Sequence, residues 1–305
     1  MISFLFRRCL EAILSIAVLI TITFFLLHAL PGGPFDDETA LAPEVKAHLE
    51  EYYHLNSPVS EQFLIYVGKL FKGDLGTSYR NIDQSVVSLL QDTLPITLKL
   101  SLMSLVLSFS LGIPLGLIAA SKHNSKFDFL TLFATMSCVS IPSFLLAPIL
   151  ILIFSFWLDW LPPALWESPS YYILPVITLA ARPTALIARL IRTSALDVLH
   201  SDFVRAAYAK GMSQIQILFK HVLKNSIVPV LALSGTMIAH LISGTFVVEL
   251  IFAIPGVGRH LIASVDNRDY PLVLALTLIY SFLLIIGNLI MDFITTLIDP
   301  RMRLS

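Results

Sequence analysis

The ionisable side chains that are spaced for a specific interaction lie mainly in one stretch of this sequence, from Asp202 to Pro229. Four basic residues, Arg205, Lys210, Lys220 and Lys224, occur in it, and long apolar runs lie on both sides. This composition offers contacts to another protein and not bond-making chemistry. An ordinary amphipathic connecting loop is the alternative interpretation.

Two short helices are predicted within this stretch. Asp202 can cap the first helix, and Gly211 can end it because glycine tolerates the left-handed conformation that follows a helix C-terminus. Ser213 and Gln216 then form an S-x-x-Q capping box at the start of the second helix. A helix pair outside the bilayer has no lipid to pack on, so we expect it to meet a partner protein.

Motifs for covalent or phosphate chemistry are missing from the sequence. It has no GxxxxGK[ST] phosphate loop, no HExxH and no GxSxG. Cys9 and Cys138 supply neither a disulfide pair nor a metal cluster. We therefore predict no catalytic residues, no metal site and no cofactor in this chain, and any energy for uphill transport comes from a partner or from an ion gradient.

The composition places the chain in a membrane. Hydrophobic residues make up 56% of it and charged residues 13%, whereas about 25% of residues are charged in an average soluble domain. Six apolar windows are close to or above the roughly 20 residues that cross the hydrocarbon layer. The windows are Ala12–Phe35, Leu100–Ser121, Phe129–Leu158, Ile173–Ile191, Asn225–Val248 and Tyr270–Met291. The predicted fold class is all-α, a polytopic membrane protein with six transmembrane helices.

The basic residues predict the orientation of these spans. With a cytoplasmic N-terminus, twelve of the 20 Lys and Arg residues fall in short segments on the cytoplasmic side, as the positive-inside rule requires. These are Arg7, Arg8, Lys122, Lys126, Arg189, Arg192, Arg205, Lys210, Lys220, Lys224, Arg301 and Arg303. We therefore expect a multi-pass protein of the inner membrane with both termini in the cytoplasm.

Four segments follow from this topology. Residues 1–30 form an uncleaved N-terminal anchor helix, residues 31–93 are external, residues 94–298 form the transmembrane core with the cytoplasmic loop 202–229, and residues 299–305 are a cytoplasmic tail. The external segment is predicted to contain two amphipathic helices, Glu44–Tyr53 and Ser60–Phe71.

Small residues, prolines and charges inside the spans point to a translocation path. Pro142, Arg182, His240 and Glu249 are its candidate residues, since broken helices and ionisable groups at membrane depth usually face a cavity or a partner. Simple packing is the alternative, because prolines are frequent in membrane helices and a lone histidine such as His240 is more often a packed one. Gly112 and Gly116 have the GxxxG spacing that lets helix backbones approach closely.

Motifs along the whole chain carry a resemblance to a known family. Arg205–Gly211 (RAAYAKG) resembles the EAA loop of bacterial ABC-importer permeases, whose pattern is E-A-A, three residues and then Gly. Further motifs are similar to the di- and oligopeptide/nickel branch: Gly73–Ser78 (GDLGTS), Leu94–Thr97 (LPIT), Ile254–Gly258 (IPGVG), Asn267–Pro271 (NRDYP) and Ile298–Arg303 (IDPRMR). Arg7–Glu11 and Leu41–Val45 most closely resemble the first of the two membrane subunits of oligopeptide permeases.

The resemblance implies a type I ABC importer permease fold and a set of partners. These are a second homologous permease subunit, two cytoplasmic ATPase subunits that bind ATP, a periplasmic or lipid-anchored solute-binding protein, a peptide substrate and membrane lipid, with no nucleic acid. It also implies that the loop couples ATP hydrolysis to transport through Arg205, Ala206, Ala207, Tyr208, Lys210, Gly211 and Met212.

The loop departs from the family pattern at a charged position. Arg205 occupies the position of the family glutamate, so an ion pair assigned to that glutamate does not transfer. Arg205 and Lys210 are five residues apart, about 140° on a single helix, and are expected to flank a docking ridge. Ala206, Ala207 and Gly211 are expected to allow close contact with the ATPase. Nickel, glutathione, murein peptides or antimicrobial peptides remain alternative substrates, and a gradient-driven secondary transporter remains a rival function.

Overall fold

The computed structural model describes residues 2–35, 42–80 and 84–298, and within these ranges every regular element is a helix. The helices α1 to α13 are Ile2–Ala29, Pro43–Tyr52, Val59–Phe71, Val86–Ser121, Lys126–Ser140, Ser143–Ile151, Pro169–Leu199, Asp202–Ala209, Gln214–Ile217, Leu223–Ser226, Val228–Ile251, Gly258–Asp266 and Tyr270–Ile298. Two π-helical segments, Leu152–Trp157 and Leu218–Val222, follow α6 and α9. The tail 299–305, with most of the motif at 298–303, lies outside the described residues.

The described helices agree with the predicted membrane protein. Four segments are long and apolar enough to cross a membrane singly, and they lie within α1, α4, α7 and α13. Two bent pairs raise the number of spans to the predicted six if each pair is one span. α4 has 36 residues, which at a rise of 1.5 Å per residue is roughly 54 Å. It begins at Val86, inside the segment that the sequence analysis placed outside the membrane.

The third span differs from the continuous window Phe129–Leu158. α5 and α6, together with the π-helical segment that follows α6, meet at an angle of 108°. Ile141 is extended, with φ −85° and ψ 117°, and Pro142 occupies the N-cap position of α6. Proline disfavours the α conformation in the preceding residue and supplies no amide hydrogen, so the helix breaks here.

Two compact units divide the chain: Met1–Pro95 with Gly256–Phe282, and Ile96–Pro255 with Leu283–Ser305. In the first unit the two amphipathic helices predicted between residues 31 and 93 are present as α2 and α3. Phe63 and Tyr66 of α3 pack against a cluster that contains Phe24, Leu27 and Tyr270. Burial raises the pKa of the Tyr66 phenol to about 12, so this side chain stays neutral among its aromatic neighbours.

The Gly73–Ser78 turn joins the start of α13 within the same unit. Asp269 is buried, and it accepts a hydrogen bond from the Ser78 hydroxyl and another from the Tyr79 amide at 3.2 Å. The Asp269 carboxylate also accepts from the Leu272 amide at 3.4 Å, at the N-terminus of α13. Two of the motifs that carry the family resemblance therefore fold onto each other through one carboxylate.

A seam of small residues packs α4 against α7 in the second unit. A Cβ atom on Gly112 would lie 2.8 Å from the Ile187 Cβ, and one on Gly116 would lie 2.5 Å from the Ala188 carbonyl oxygen. The predicted close approach at GxxxG is confirmed. The seam also extends to Ser108, whose hydroxyl lies 3.2 Å from the Ala180 carbonyl oxygen of α7.

Candidate functional site

The helix pair α8–α9 turns one face toward the chain's own core. Val204 and Ala207 of α8 are buried in a hydrophobic cluster that includes Ala195, Ile217 and Val222. The C-terminal part of α7 contributes Ala195 to the same cluster. This packing fixes the orientation of α8 relative to the rest of the second unit.

A Schellman motif ends α8 at Gly211. Gly211 has φ +77°, its amide donates to the Tyr208 carbonyl at 2.9 Å, and the Met212 amide donates to the Ala207 carbonyl at 3.3 Å. These are the two hydrogen bonds of that motif, and the left-handed residue between them is usually glycine. The predicted end of the first helix is confirmed.

The capping box that starts α9 is also confirmed. The Ser213 hydroxyl accepts from the Gln216 amide at 3.4 Å, and the Gln216 side chain accepts from the Ser213 amide at 3.1 Å. The predicted cap of α8 is wrong by one residue. Ser201 occupies the N-cap position without a side-chain cap bond, and Asp202 is the first helical residue.

The opposite face of the helix pair is exposed and apolar. Phe203 and Tyr208 on α8 are 48% and 46% exposed, and Ile215 and Phe219 further along are 69% and 64% exposed. α8 does not belong to any candidate membrane span, whereas Ile215 and Phe219 lie in the first part, Gln214–Ser226, of a bent pair that could form one. We call these four residues the α8–α9 outer face.

The coupling residues predicted from the sequence divide between the two faces. Ala206, like Arg205 and Lys210, is exposed. Ala207 is 5% exposed and packs into the chain's own cluster, so little of its side chain is available to a partner, and its part in coupling stays a prediction. Met212 is half-buried against the same cluster.

Arg205 and Lys210 do not share a helix. α8 ends at Ala209, so Lys210 follows the helix and the expected 140° separation on one helix does not apply. The Arg205 guanidinium lies 3.3 Å from the Asp202 carboxylate, with both side chains largely exposed. Such exposed pairs contribute little to stability.

A cavity of about 530 Å³ lies inside the second unit between the α5–α6 break, α7 and α11. Pro142 and Arg182 line it, as does Arg189 two turns further along α7. The break at Pro142 therefore lines the same cavity as an ionisable side chain in the middle of a span. The structure therefore brings two of the four candidate path residues, Pro142 and Arg182, to one cavity.

The other two path candidates are placed differently. Glu249 is fully buried and accepts a hydrogen bond from the Thr97 hydroxyl at 2.6 Å, and it does not line this cavity. His240 belongs to α11, but its side chain lies outside the described part of the structure.

Sequence reasoning missed an ion pair at the start of α5. Asp128 is 2% exposed, and Arg192 of α7 binds its two carboxylate oxygens at 2.5 and 2.7 Å. The Asn124 amide donates to the same carboxylate at 3.0 Å. The two residues are 64 positions apart in sequence, so no local pattern predicts that they pair. The one signal in the sequence is that Asp128 has apolar neighbours.

Comparison with known proteins identifies the family. A model described as "Binding-protein-dependent transport system inner membrane component" matches residues 112–304, and its N-terminal companion, described as "Binding-prot-dependent transport system membrane comp, N-term", matches residues 1–101. The chain belongs to this permease family. The permease is 41% identical over 305 residues to the oligopeptide transport system permease protein OppB of Haemophilus influenzae, covering 99% of this chain and 100% of that protein.

Another relative and a solved structure extend the comparison. The permease is 39% identical over 290 residues to the dipeptide transport system permease protein DppB of Bacillus subtilis, which covers 95% of this chain and 94% of that one. Its fold is similar to an inward-facing structure of the MetNI methionine ABC transporter, with a TM-score of 0.57 and 15% identity over 69% of this chain and 96% of that one. The all-α permease fold expected from the sequence is thereby confirmed.

Proposed function

We propose that this permease carries oligopeptides, or dipeptides, across the inner membrane as one membrane-spanning subunit of an ATP-driven importer. The observation that carries the proposal is the match along nearly the whole chain to two permeases whose names specify oligopeptide and dipeptide transport. ATP hydrolysis belongs to separate subunits, and this chain contributes the path and the mechanical link.

The geometry of the helix pair supports this link to ATPase subunits. The α8–α9 outer face presents aromatic and aliphatic side chains, of which Phe203 and Tyr208 lie on α8, outside the candidate spans, and an exposed apolar patch typically marks a protein contact. The inner face of α8 is buried against Ala195 and Ile217. Displacement of α8 by a partner would therefore be transmitted to α7, which lines the cavity.

The proposed assembly contains a second related permease, two ATPases and a solute-binding protein on the external side. Both termini of this chain lie in the cytoplasm in this proposal. A reporter fused after Arg303 and one placed near Lys122 should then give a cytoplasmic signal, and one near Glu50 an external signal. A cytoplasmic signal near Glu50 would contradict the orientation and the assembly built on it.

Reconstitution tests the transport function directly. The permease would be placed in liposomes with its partner permease, its ATPases and the solute-binding protein, with ATP supplied on the ATPase side. Uptake of radiolabelled tri-alanine, di-alanine, glutathione and Ni²⁺ would be measured in parallel. We expect ATP-dependent uptake of the peptides, unchanged when the proton gradient is collapsed.

Two controls define the result. A non-hydrolysable ATP analogue should abolish uptake, and omission of the solute-binding protein should lower it strongly. Uptake that depends on an ion gradient and persists without ATP would establish a secondary transporter instead. Uptake of Ni²⁺ or glutathione without peptide uptake would replace the proposed cargo.

A further inference from the structure

The cavity inside the second unit contains two positive charges and no negative one among the described residues that line it. The two charged side chains are Arg182 and Arg189, both on α7. The rest of the lining is apolar or neutral, with hydroxyl groups such as those of Ser143, Thr178 and Thr236. The charge of this lining therefore favours an anion over a cation.

The two arginines share one face of α7. They are seven residues apart, which places them within about 20° of each other around the helix and about 10 Å apart along it. Both side chains are exposed, and neither forms an ion pair or a side-chain hydrogen bond with any residue in the described ranges. By contrast, Arg192, one turn beyond Arg189, forms an ion pair with Asp128.

An uncompensated cation inside a membrane span is costly and is retained where it meets a counter-charge or a wet cavity. A guanidinium group binds a carboxylate through two parallel hydrogen bonds, more specifically than an ammonium group does. Unmodified peptides of any sequence have a C-terminal carboxylate. A site for that group would serve cargo whose side chains vary.

We propose that Arg182 and Arg189 form a carboxylate-binding ladder in the translocation cavity, which takes the carboxylate of the peptide in transit. The proposal rests on the proposed peptide-transport function and adds the group that is recognised inside the membrane. Arg182 binds the carboxylate at mid-span, and Arg189 offers a second position two turns nearer to the α8–α9 helix pair. A carboxylate on a peptide side chain has the same chemistry, and the probes below separate the two sources.

The test compares peptide acids with peptide amides in the reconstituted transporter, with the membrane potential set to zero. The probes are tri-alanine, tri-alanine amide and Ala-Glu-Ala amide, each at a concentration that saturates the solute-binding protein. A hydrogen bond to a charged group changes an affinity by about 10-fold or more. We expect wild-type uptake to favour tri-alanine over its amide by about 10-fold, and Arg182→Gln to bring this ratio close to one by slowing the acid.

Variants and controls test whether the acid-to-amide uptake ratio depends on the two arginines of the cavity. Arg182→Lys should retain part of the preference because it keeps the charge, and Arg189→Gln should lower it partly. Arg259→Gln, at an exposed arginine of the other unit, should leave it unchanged. The acid-to-amide ratio is measured within one preparation, so it does not depend on how much transporter assembles. Arg182→Met, which keeps an unbranched apolar stem, replaces the glutamine variant if that one cannot be purified.

The outcomes separate this proposal from the proposed function. A ratio near one in the wild type, or a loss of acid and amide uptake alike in Arg182→Gln, would overturn the carboxylate site while peptide transport stands. Absence of ATP-dependent uptake of all three probes in the wild type would overturn the transport function itself. If Ala-Glu-Ala amide follows tri-alanine, the ladder accepts any peptide carboxylate, and if it follows tri-alanine amide, the ladder reads the C-terminus.

Discussion

Arg192 holds Asp128 in a bidentate ion pair, with Nε 2.5 Å from Oδ1 and Nη2 2.7 Å from Oδ2. Asp128 lies in the first turn of α5, where the Ser125 hydroxyl also accepts from the Asp128 amide. The pair therefore fastens the start of α5 to the last third of α7, which leads directly into α8. α5 and α7 both line the cavity, so this contact fixes one of its walls.

Loss of the Asp128 charge should destabilise the permease. Asp128→Asn keeps the shape of the side chain but leaves the Arg192 guanidinium without its anion, and we expect a loss on the order of 1–3 kcal/mol. Thermal unfolding of the purified protein in detergent measures it. Asp202→Asn removes the carboxylate of the exposed pair with Arg205 and should change the midpoint little. Equal midpoints for Asp128→Asn and the wild type would show that the pair does not stabilise the fold.

A methyl group on Gly116 should separate α4 from α7. A Cβ atom there would lie 2.5 Å from the Ala188 carbonyl oxygen, and overpacking of this kind typically costs about 1–3 kcal/mol. Gly244→Ala is the matched control, because its Cβ would meet only a Leu179 methyl group at 3.8 Å. Thermal unfolding in detergent should show a lower midpoint for Gly116→Ala and an unchanged or higher one for Gly244→Ala. The reverse order would mean that the seam can widen without cost.

Local signals in the sequence predicted the parts of this fold that local chemistry decides. The capping box at Ser213 and Gln216, the left-handed Gly211 and the close approach at Gly116 all follow from side-chain size or backbone preference within a few residues. Each of the six apolar windows also overlaps a described helix or bent helix pair, although the pair at the fifth window begins at Gln214, inside the loop predicted to be cytoplasmic.

The features of the fold that the sequence did not predict depend on contacts between distant segments. The Asp128–Arg192 pair and the Ser78–Asp269 bond join residues 64 and 191 positions apart, and no periodicity encodes such pairs. The sequence marks Pro142 as an interruption of the third span. Residue types alone could not show whether that span would kink slightly or bend by 108°. Ala207 was assigned to a partner because small residues suit any close contact, including the contact with the chain's own core that the structure shows.

Gly211→Val should weaken the coupling of ATP hydrolysis to transport. The residue has φ +77° and no atom within 4 Å of a Cβ position, so the cost comes from the left-handed backbone, about 1–2 kcal/mol, and not from a clash. Asparagine tolerates this conformation better, so Gly211→Asn should retain most uptake. Peptide uptake per ATP hydrolysed is the measurement. Similar coupling in the valine and asparagine variants would show that the Schellman turn is not required.

Acidification should destabilise the permease through His260 on α12. Burial, and then the neighbouring Arg259, lower the pKa of this imidazole below 6.5. The unfolded chain therefore takes up the proton first as the pH falls, so the stability present above about pH 6.5 is lost toward the lower folded pKa. His260→Asn should reduce the difference between the unfolding midpoints at pH 7.5 and pH 5.5, whereas His54→Asn, at an exposed histidine, should not. An identical pH difference in both variants would exclude His260 as its origin.

The α8–α9 outer face should determine how tightly the ATPases are held. Phe203 and Phe219 are 48% and 64% exposed, and burial of a phenylalanine contributes about 1.5–3 kcal/mol, so Phe203→Ser or Phe219→Ser should lower ATPase retention about 10-fold. Arg205→Ala removes only an exposed charge and should have a smaller effect. Phe71→Ser, at a side chain 89% exposed on α3, controls for general loss of surface phenylalanine.

The measurement is the amount of ATPase that co-purifies with the tagged permease, together with uptake of several peptides. Because the face lies apart from the cavity lining, uptake of all peptides should fall in proportion, and a variant that keeps its ATPases but loses only some peptides would instead assign this face to cargo selection.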